Sequence, residues 1–444
     1  MKMNFLDFIK TIDKNRLFDE SRHKIETSNI LIDQSNQNIS KEIYKNFQKF
    51  IDENNFIERF QKILEGEICN VSENKPATHF QYRAEGNNLY ESNLKNLKAV
   101  SNRLKDKKII VFFGIGGSYL APNLLNEVFG SSNKQVIFIT GSDPDEYKDL
   151  EKNNLNDAAF ILATKSFSTT ETLTSYKSVT NGEFLSDTFA ITSNIDDAKH
   201  YGISDENIIP MDSSMGGRFS IWGPINLLFY LIHGEDKYKE FLKGAEKSDQ
   251  LSLNKDISQN PSLTLSIQDV VMNNVCEIES TLVINYDWKL RNFYQYVQQV
   301  EMESTGKSVD QNGKELDYQT GMIVWGGFGP RSQHSFFQQV YQGTKNYNLY
   351  FVTTKSDQLN YKQFLGQSKS LKDGNDRESD INKRVSKRNF TTIELNSLTP
   401  ETLGELMAMW ENKVIFNSFF WNINPFDQWG VELGKTNTKS ELDK

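Results

Sequence analysis

Three short segments carry residue types whose spacing could do chemistry. Near the C-terminus the chain reads NPFDQWGVELGK, from Asn424 to Lys435. Pro425 and Asp427 are residues that start helices, with Asp427 as the N-cap. A helix running on from there places Gln428, Glu432 and Lys435 on one face, at i, i+4 and i+7 spacing. An amide, a carboxylate and an ammonium then sit beside an aromatic lid of Phe426 and Trp429. Read alone, the segment is equally a capped amphipathic helix with a surface ion pair.

The second segment, MGGRFSIWGP from Met215 to Pro224, sets paired glycines before Arg218. The glycines let the backbone pass close to a ligand while the guanidinium points inward. A permanently charged planar donor suits an oxyanion that forms only during reaction; the plainer reading is a turn with a surface arginine. The third segment, MESTGKS from Met302 to Ser308, follows Glu301. Glu301 and Glu303 are two apart and face differently on a helix. Glu303, just before the Thr305-Gly306 turn, is the one aimed at a substrate, although a glutamate is by default solvated.

Two further segments have the composition of an anion cradle. FILATKSFSTTET, from Phe160 to Thr172, joins a strand end to a hydroxyl-rich helix start. Thr164, Ser166, Ser168 and Thr169 could offer hydroxyls and Lys165 a charge, beside the amides and dipole of a helix N-terminus. A ligand-free Ser/Thr-rich cap has the same composition. The loop GIGGS, from Gly114 to Ser118, ends the first clear strand, where parallel sheets usually bind. A dinucleotide fingerprint would need glycine at Tyr119 and fails there, though Asp143 could mimic its ribose-binding acid. The five histidines lack H-E-x-x-H spacing, which argues against zinc, and no P-loop or G-x-S-x-G elbow occurs. His334 precedes a helix whose apolar side carries Phe336, Phe337 and Val340, so it reads either as a structural or as a working histidine.

The elements that must position these residues follow from length and pattern. A chain of 444 residues suits two α/β domains with extensions. Lys plus Arg is 50 and Asp plus Glu is 59, a net charge of −9, which argues against nucleic acid but not against a small anion met by local cations. Two cysteines, Cys69 and Cys276, suggest reduced thiols and a cytoplasmic location. The charge-broken N-terminus is unlike a signal peptide, and the longest apolar runs, such as Ile225 to Ile232, fall far short of a membrane span.

The first ~100 residues have helical spacing, as in Phe5, Phe8, Ile9, Ile12 and Leu17. Buried strands are expected in 107–116, 134–142, 158–166, 187–193 and 207–212, and again in 280–287, 321–327 and 348–356, with helical stretches between them. The polar stretch from Glu235 to Pro261 is the expected boundary. ATKS at Ala163 to Ser166 and TTKS at Thr353 to Ser356 both end strands, a hint of duplication. The charged stretch from Gln367 to Arg388 reads as an exposed loop or solvated helix.

Taken in chain order, the motif blocks from Lys107 to Lys435 resemble the glucose-6-phosphate isomerase family, in its shorter bacterial form. The resemblance implies an α/β fold of two doubly wound parallel-sheet sugar isomerase domains, each three layers α/β/α, with helical N- and C-terminal extensions. The expected division is a helical extension over 1–75 packing on the second domain, a first domain over 76–235, a linker over 236–265, a second domain over 266–400 and a helical region over 401–444. The implied activity is aldose–ketose interconversion of glucose 6-phosphate and fructose 6-phosphate through a cis-enediol, a step of glycolysis and gluconeogenesis, with no cofactor and no metal.

On matching positions, Gly117, Ser118, Thr164, Lys165, Ser166 and Thr169 would hold the phosphate. Glu303 would move the proton between carbon 2 and carbon 1, and Arg218 would steady the enediolate. His334 and Lys435 would open the ring, and Gln428 would contact substrate. The resemblance also implies a cytoplasmic homodimer with His334 contributed across the interface. The chain departs from the commoner N-G-K at Thr305-Gly306-Lys307, and from G-T-N-G-Q-H at Gly329-Pro330-Arg331-Ser332-Gln333-His334. Two rivals remain: a non-catalytic sugar-phosphate-binding protein on the same domain, which would not need Glu303, Arg218, His334 and Lys435 together, and an isomerase that also takes mannose 6-phosphate.

Overall fold

Each apolar run expected as a strand becomes one, whereas the run from Ile225 to Ile232 enters a helix. The computed structural model describes every residue except 1, 2, 131, 132, 153, 154, 357 and 443. Its strands are β1 (Lys24–Glu26), β2 (Ile30–Asp33), β3 (Ile109–Phe113), β4 (Gln135–Ile139), β5 (Ala158–Ala163), β6 (Thr188–Thr192), β7 (Ile208–Pro210), β8 (Ser280–Asn285), β9 (Ile323–Phe328), β10 (Asn348–Thr354) and β11 (Thr391–Leu395). The five helices that matter most to the site are α1 (Leu227–Ser252), α2 (Pro261–Val270), α3 (Phe293–Thr305), α4 (Pro400–Trp421) and α5 (Glu432–Leu442).

The first sheet has the order β4-β3-β5-β6-β7 and is parallel throughout. Every residue of β5 is buried, as a central strand covered on both faces requires. The second sheet has the order β1-β2-β11-β10-β8-β9. Its strands β11, β10, β8 and β9 are parallel, whereas β2 joins β11 antiparallel and β1 joins β2 the same way.

The N-terminal extension is therefore not wholly helical, and the second sheet is not wholly parallel. Ile30 and Ile32 alternate inward on β2 and cover the edge that β11 would otherwise expose. A Lys24–Asp33 ion pair of 2.8 Å joins the directly opposed ends of the hairpin.

The polar stretch expected as a linker is helix instead. α1 bends at Gly234, where φ is 83°, and continues to Ser252; Asn260 and Pro261 then start α2. Phe241, Leu242 and Ala245 of α1 are buried against α4. Two glycines permit that approach. A Cβ on Gly244 would lie 1.9 Å from the Glu401 carbonyl oxygen, and one on Gly404 would lie 2.0 Å from the Phe241 carbonyl oxygen.

From Thr402 to Trp421 every residue of α4 is buried, polar ones included. Glu411 pairs with Arg83 and accepts bonds from Trp222 Nε1 at 2.8 Å and Tyr296 Oη at 2.7 Å. Arg83 also meets Asp249 at 2.7 Å. Two residues on, Lys413 Nζ lies 2.7 Å from Asp269 and 2.5 Å from Glu301.

The glycine contact makes a prediction with competing signs. Alanine favours a helix interior over glycine by about 1 kcal/mol, but here its methyl overlaps backbone, which cannot swing aside. Overpacking of this kind costs about 1–3 kcal/mol. Gly404→Ala should therefore lower the thermal midpoint in a denaturation scan; an unchanged or raised midpoint would show that the α1–α4 contact is looser than described.

Candidate active site

In the first sheet the chain leaves β3, visits β4 on one side and returns as β5 on the other. This reversal opens a crevice at the C-terminal ends of β3 and β5, where doubly wound sheets bind ligands. Both glycine- and hydroxyl-rich loops lie there. Gly117 packs so closely on the Met215–Pro224 segment that a Cβ would sit 2.0 Å from the Gly217 carbonyl oxygen. Ser118 follows directly, at the end of the short turn Gly116–Ser118.

In the other loop, Thr164 and Thr169 join their hydroxyls at 2.8 Å, and Ser168 donates to Ser166 at 2.7 Å. Phe167 holds the turn with a left-handed φ of 52° and a buried ring. Thr169 precedes the helix Thr170–Thr180 without a side-chain cap, so its hydroxyl is spent on Thr164 rather than on the first-turn amides. Burial pushes the Lys165 ammonium below its usual pKa, and the charges acting on it are Glu73, Lys75, Asp212 and Arg218. Concentrated hydroxyls, helix-start amides and a half-buried cation form a place where an added dianion would be met by donors.

Arg218 is almost wholly buried, on the short 3-10 segment Gly217–Trp222. Its Nε donates to Ser304 Oγ at 2.7 Å, and its Nη2 donates to the carbonyls of Pro425 and Asp427. Nη1 donates to Gln428 Oε1 at 2.9 Å and lies 3.5 Å from Glu303 Oε2. Burial pushes the guanidinium pKa down, and Glu303 and Asp427 oppose that shift. With Nε and Nη2 committed to Ser304 and backbone oxygens, Nη1 is the nitrogen turned toward Gln428 and Glu303, both of which line the cleft beside Glu303.

Glu303 also accepts from Gln299 Nε2 at 3.1 Å, and its side chain remains 27% exposed. A cleft of about 490 Å³ opens beside it, lined by Met302, Lys307, Asn424, Gln428 and Trp429 among others. A carboxylate with one edge held and one edge open can take and return a proton.

The C-terminal segment departs from the sequence reading. Asp427 is not an N-cap. Its carboxylate accepts from Lys307 Nζ at 2.6 Å, Ser72 Oγ at 2.6 Å and Asn424 Nδ2 at 2.7 Å. Gln428 is non-helical, at φ −152° and ψ 48°, a 3-10 turn covers Trp429–Val431, and α5 starts only at Glu432. Gln428, Glu432 and Lys435 therefore do not share a helical face. Nor do Phe426 and Trp429 form a lid: Phe426 packs inward near Phe219 and His79, while Trp429 is 60% exposed.

The structure thus gathers Arg218, Glu303 and Gln428 beside the loops that hold Gly117, Ser118, Thr164, Lys165, Ser166 and Thr169. It does not bring His334 or Lys435 to them within one chain. Lys435 is exposed on α5 and pairs with Glu432 at 2.6 Å. The departing loop Gly329–Ser332 is a short helix, and His334 follows it on an exposed turn, its ring without a hydrogen-bond partner among the described residues.

Four contributors escaped the sequence reading: Gln299 and Ser304 by their side-chain contacts, Lys307 by its bond to Asp427, and Ser72 from a loop more than 350 residues away. Lys307 and Ser304 stood inside a quoted motif, and Gln299 stood one helical turn before Glu303. Nothing local marked Ser72. Among the described residues no group of three or more His, Cys, Asp or Glu side chains converges as metal ligands do, and no helix is long and apolar enough to cross a membrane.

The phosphoglucose isomerase family profile matches residues 33–444. A glucose-6-phosphate isomerase from Wigglesworthia glossinidia brevipalpis is 31% identical over 494 aligned positions, covering 97% of this chain and 90% of its own. One from Pseudomonas fluorescens is 33% identical, covering 84% and 79%. A crystal structure of a glucose-6-phosphate isomerase from Chlamydia trachomatis superposes with a TM-score of 0.90 at 25% identity, covering 99% of this chain and 96% of that one.

The Lys307–Asp427 bond is open to a direct test. Asp427→Asn leaves a mostly buried ammonium facing an uncharged amide, and charge-assisted bonds are worth about 1.5–3 kcal/mol. Local opening of the segment should become easier, so amide hydrogen exchange across 423–428 should accelerate by about tenfold or more while β5 amides keep their protection. Unchanged exchange in 423–428 would show that the Lys307 bond adds little to the hold of Arg218, Ser72 and Asn424 on the segment.

Proposed function

Since this chain belongs to the phosphoglucose isomerase family, we propose that it interconverts D-glucose 6-phosphate and D-fructose 6-phosphate. The observation that carries this reading is the facing pair of Glu303 and Arg218 at 3.5 Å, at the crevice between two anion-suited loops. The substrate phosphate is held by the amides of Gly117 and Ser118, the hydroxyls of Thr164, Ser166 and Thr169, and Lys165. That anchor places carbons 1 and 2 beside Glu303.

Glu303 takes the proton from carbon 2 of the open-chain aldose, and the electron pair moves to give a cis-enediolate. Arg218 Nη1 opposes the charge that develops on oxygen, and Gln428, turned by its bond to Arg218, presents its amide to the same region. A proton passes from the carbon 2 hydroxyl to oxygen 1, and return of the first proton from Glu303 to carbon 1 gives the ketose. The reaction is redox-neutral within one molecule, so the proton shuttle needs no electron acceptor. General base catalysis contributes on the order of 10²–10⁴-fold; positioning through the phosphate and the fixed guanidinium supply the rest.

Ring opening is assigned to His334 and Lys435. His334 is exposed, with no side-chain hydrogen-bond partner among the described residues of its own chain, which supports its reaching the site of a second copy in a cytoplasmic homodimer. Twofold dimers are the commonest soluble oligomers. Lys435 acts once α5 carries it toward the cleft. A purely sugar-phosphate-binding role is not favoured, because it leaves the Arg218–Glu303 pairing without purpose. Activity on mannose 6-phosphate turns on how the carbon 2 hydroxyl is accommodated.

Two experiments test the reading. Glu303→Gln keeps size and hydrogen bonding but cannot accept the proton. Isomerase activity should fall by on the order of 10²-fold or more, with exchange of the carbon 2 hydrogen in heavy water lost in parallel and analogue binding within a few fold; retained turnover would remove Glu303 as the base. The shared site is tested by mixing Glu303→Gln chains with His334→Ala chains under subunit exchange. If His334 acts across the interface, mixed dimers regain one intact site and activity returns. Confirmed mixed dimers as inactive as their parents would refute it.

A further inference from the structure

Glu303 is lightly held for a group whose placement decides a rate. Its own contacts are one 3.1 Å bond from Gln299, on the same helix, and a 3.5 Å approach to Arg218. Its aim is therefore inherited from the last turn of α3, the part of a helix where backbone carbonyls run out of partners and the turn can rotate. Two residues earlier, Glu301 points the other way. Positions two apart on a helix lie roughly 200° apart around its axis, so Glu303 faces the cleft while Glu301 is 3% exposed in the core.

Glu301 is held firmly there. Its Oε1 receives Lys413 Nζ at 2.5 Å and also Trp410 Nε1, both from α4. Lys413 is shared with Asp269 of α2, at 2.7 Å. Asp269 in turn accepts from Asn348 Nδ2 at 2.7 Å and Tyr350 Oη at 2.7 Å, both on β10, and from Asn417 Nδ2 of α4 at 2.9 Å. A continuous run of bonds thus joins the second sheet, α2 and α4 to the turn that carries Glu303. Thr305 Oγ1 closes the same turn by donating to the Glu301 carbonyl at 2.6 Å.

A buried set of one ammonium and two carboxylates is a poor way to gain stability, because desolvation offsets the attraction and apolar packing often does as well. What such a set does provide is a single permitted geometry. We infer, on the reading of Glu303 as the base, that Glu301 is a positioning residue: its bonds to Lys413 and Trp410 fix the rotation of the end of α3 and thereby aim the Glu303 carboxylate at the substrate carbon.

The test compares Glu301→Gln, which keeps an acceptor for Trp410 but loses the charge for Lys413, with Glu301→Ala, which loses both bonds. Trp410→Phe removes the other donor and keeps an aromatic ring. Each variant is assayed for kcat per folded site, for KM, and for binding of glucitol 6-phosphate, which cannot isomerise. Misplacing a reacting group by about 1 Å can cost on the order of 10²-fold.

We expect kcat to fall by about tenfold in Glu301→Gln and about a hundredfold in Glu301→Ala, with a smaller fall in Trp410→Phe. KM and glucitol 6-phosphate binding should stay within about threefold. Should Glu301→Ala fail to fold, the other two variants decide. Full kcat per folded site in both of these overturns the inference, as does a loss of kcat matched by an equal loss of glucitol 6-phosphate binding. Glu303→Gln separates the two levels. If it remains active, the base assignment itself has failed; if it is inactive while the Glu301 variants run at full kcat, only the positioning role has.

Discussion

A helix with no solvent-facing side sets the terms for the rest of the molecule. α4 is buried on every face from Thr402 to Trp421, yet it carries Glu405, Glu411, Asn412, Lys413 and Asn417. Buried charges must find partners, and the partners come from elements distant in sequence. Glu411 draws in Arg83, Trp222 and Tyr296, and Lys413 draws in Asp269 and Glu301. Trp222 ends the 3-10 segment that begins just before Arg218, and Glu301 lies two residues from Glu303. The guanidinium and the carboxylate of the site each stand a short step from an anchor on the same rigid helix, and those anchors are two residues apart in sequence.

The electrostatics have a similar economy. The chain is acidic overall at −9, and its mean field repels a sugar phosphate. Lys165, Arg218 and Lys307 are nevertheless brought to one crevice and partly withdrawn from water. Withdrawal weakens screening and strengthens each local interaction, so a few placed cations outweigh a larger and more distant negative count. Asp427 keeps Lys307 occupied, and protein oxygens occupy most of Arg218. The positive charge offered to a ligand is narrow in direction.

Much of this was legible in the sequence where the signal was local. The apolar runs that became β3 to β10 stand out because strands buried on both faces are apolar without alternation. β1 and β2 were not visible, since KIE and ILID are too short to announce strands, and only the distant edge of β11 makes them so. α1 was hidden by its exposed polar side, and α4 was expected only as part of a terminal helical region. Within the site, Arg218 and Glu303 could be singled out by their glycine and turn neighbours, but not their mutual contact. The reading of Asp427 failed for a clear reason: its true partners, Ser72 and Lys307, are remote in sequence, and three competing donors outbid a local cap. Gln428 was expected to meet substrate as part of a helical face that includes Lys435. It instead reaches Arg218 from a non-helical backbone ahead of α5, which leaves Lys435 on a separate, exposed helix.

The antiparallel seam between β2 and β11 has a consequence for how the chain comes into being. Asp33 is registered against Thr392, and Ile32 against Ile393. During synthesis the hairpin of β1 and β2 emerges well over 300 residues before β11, the strand it must cover. The first sheet, whose strands all lie between 109 and 210, can assemble while the ribosome is still translating. The second sheet cannot close until residues 391–395 have left the exit tunnel, and contacts of such long sequence separation form slowly. Over that interval β2, with Ile30 and Ile32, lacks the strand it pairs with, which leaves residues 24–33 open to mispairing.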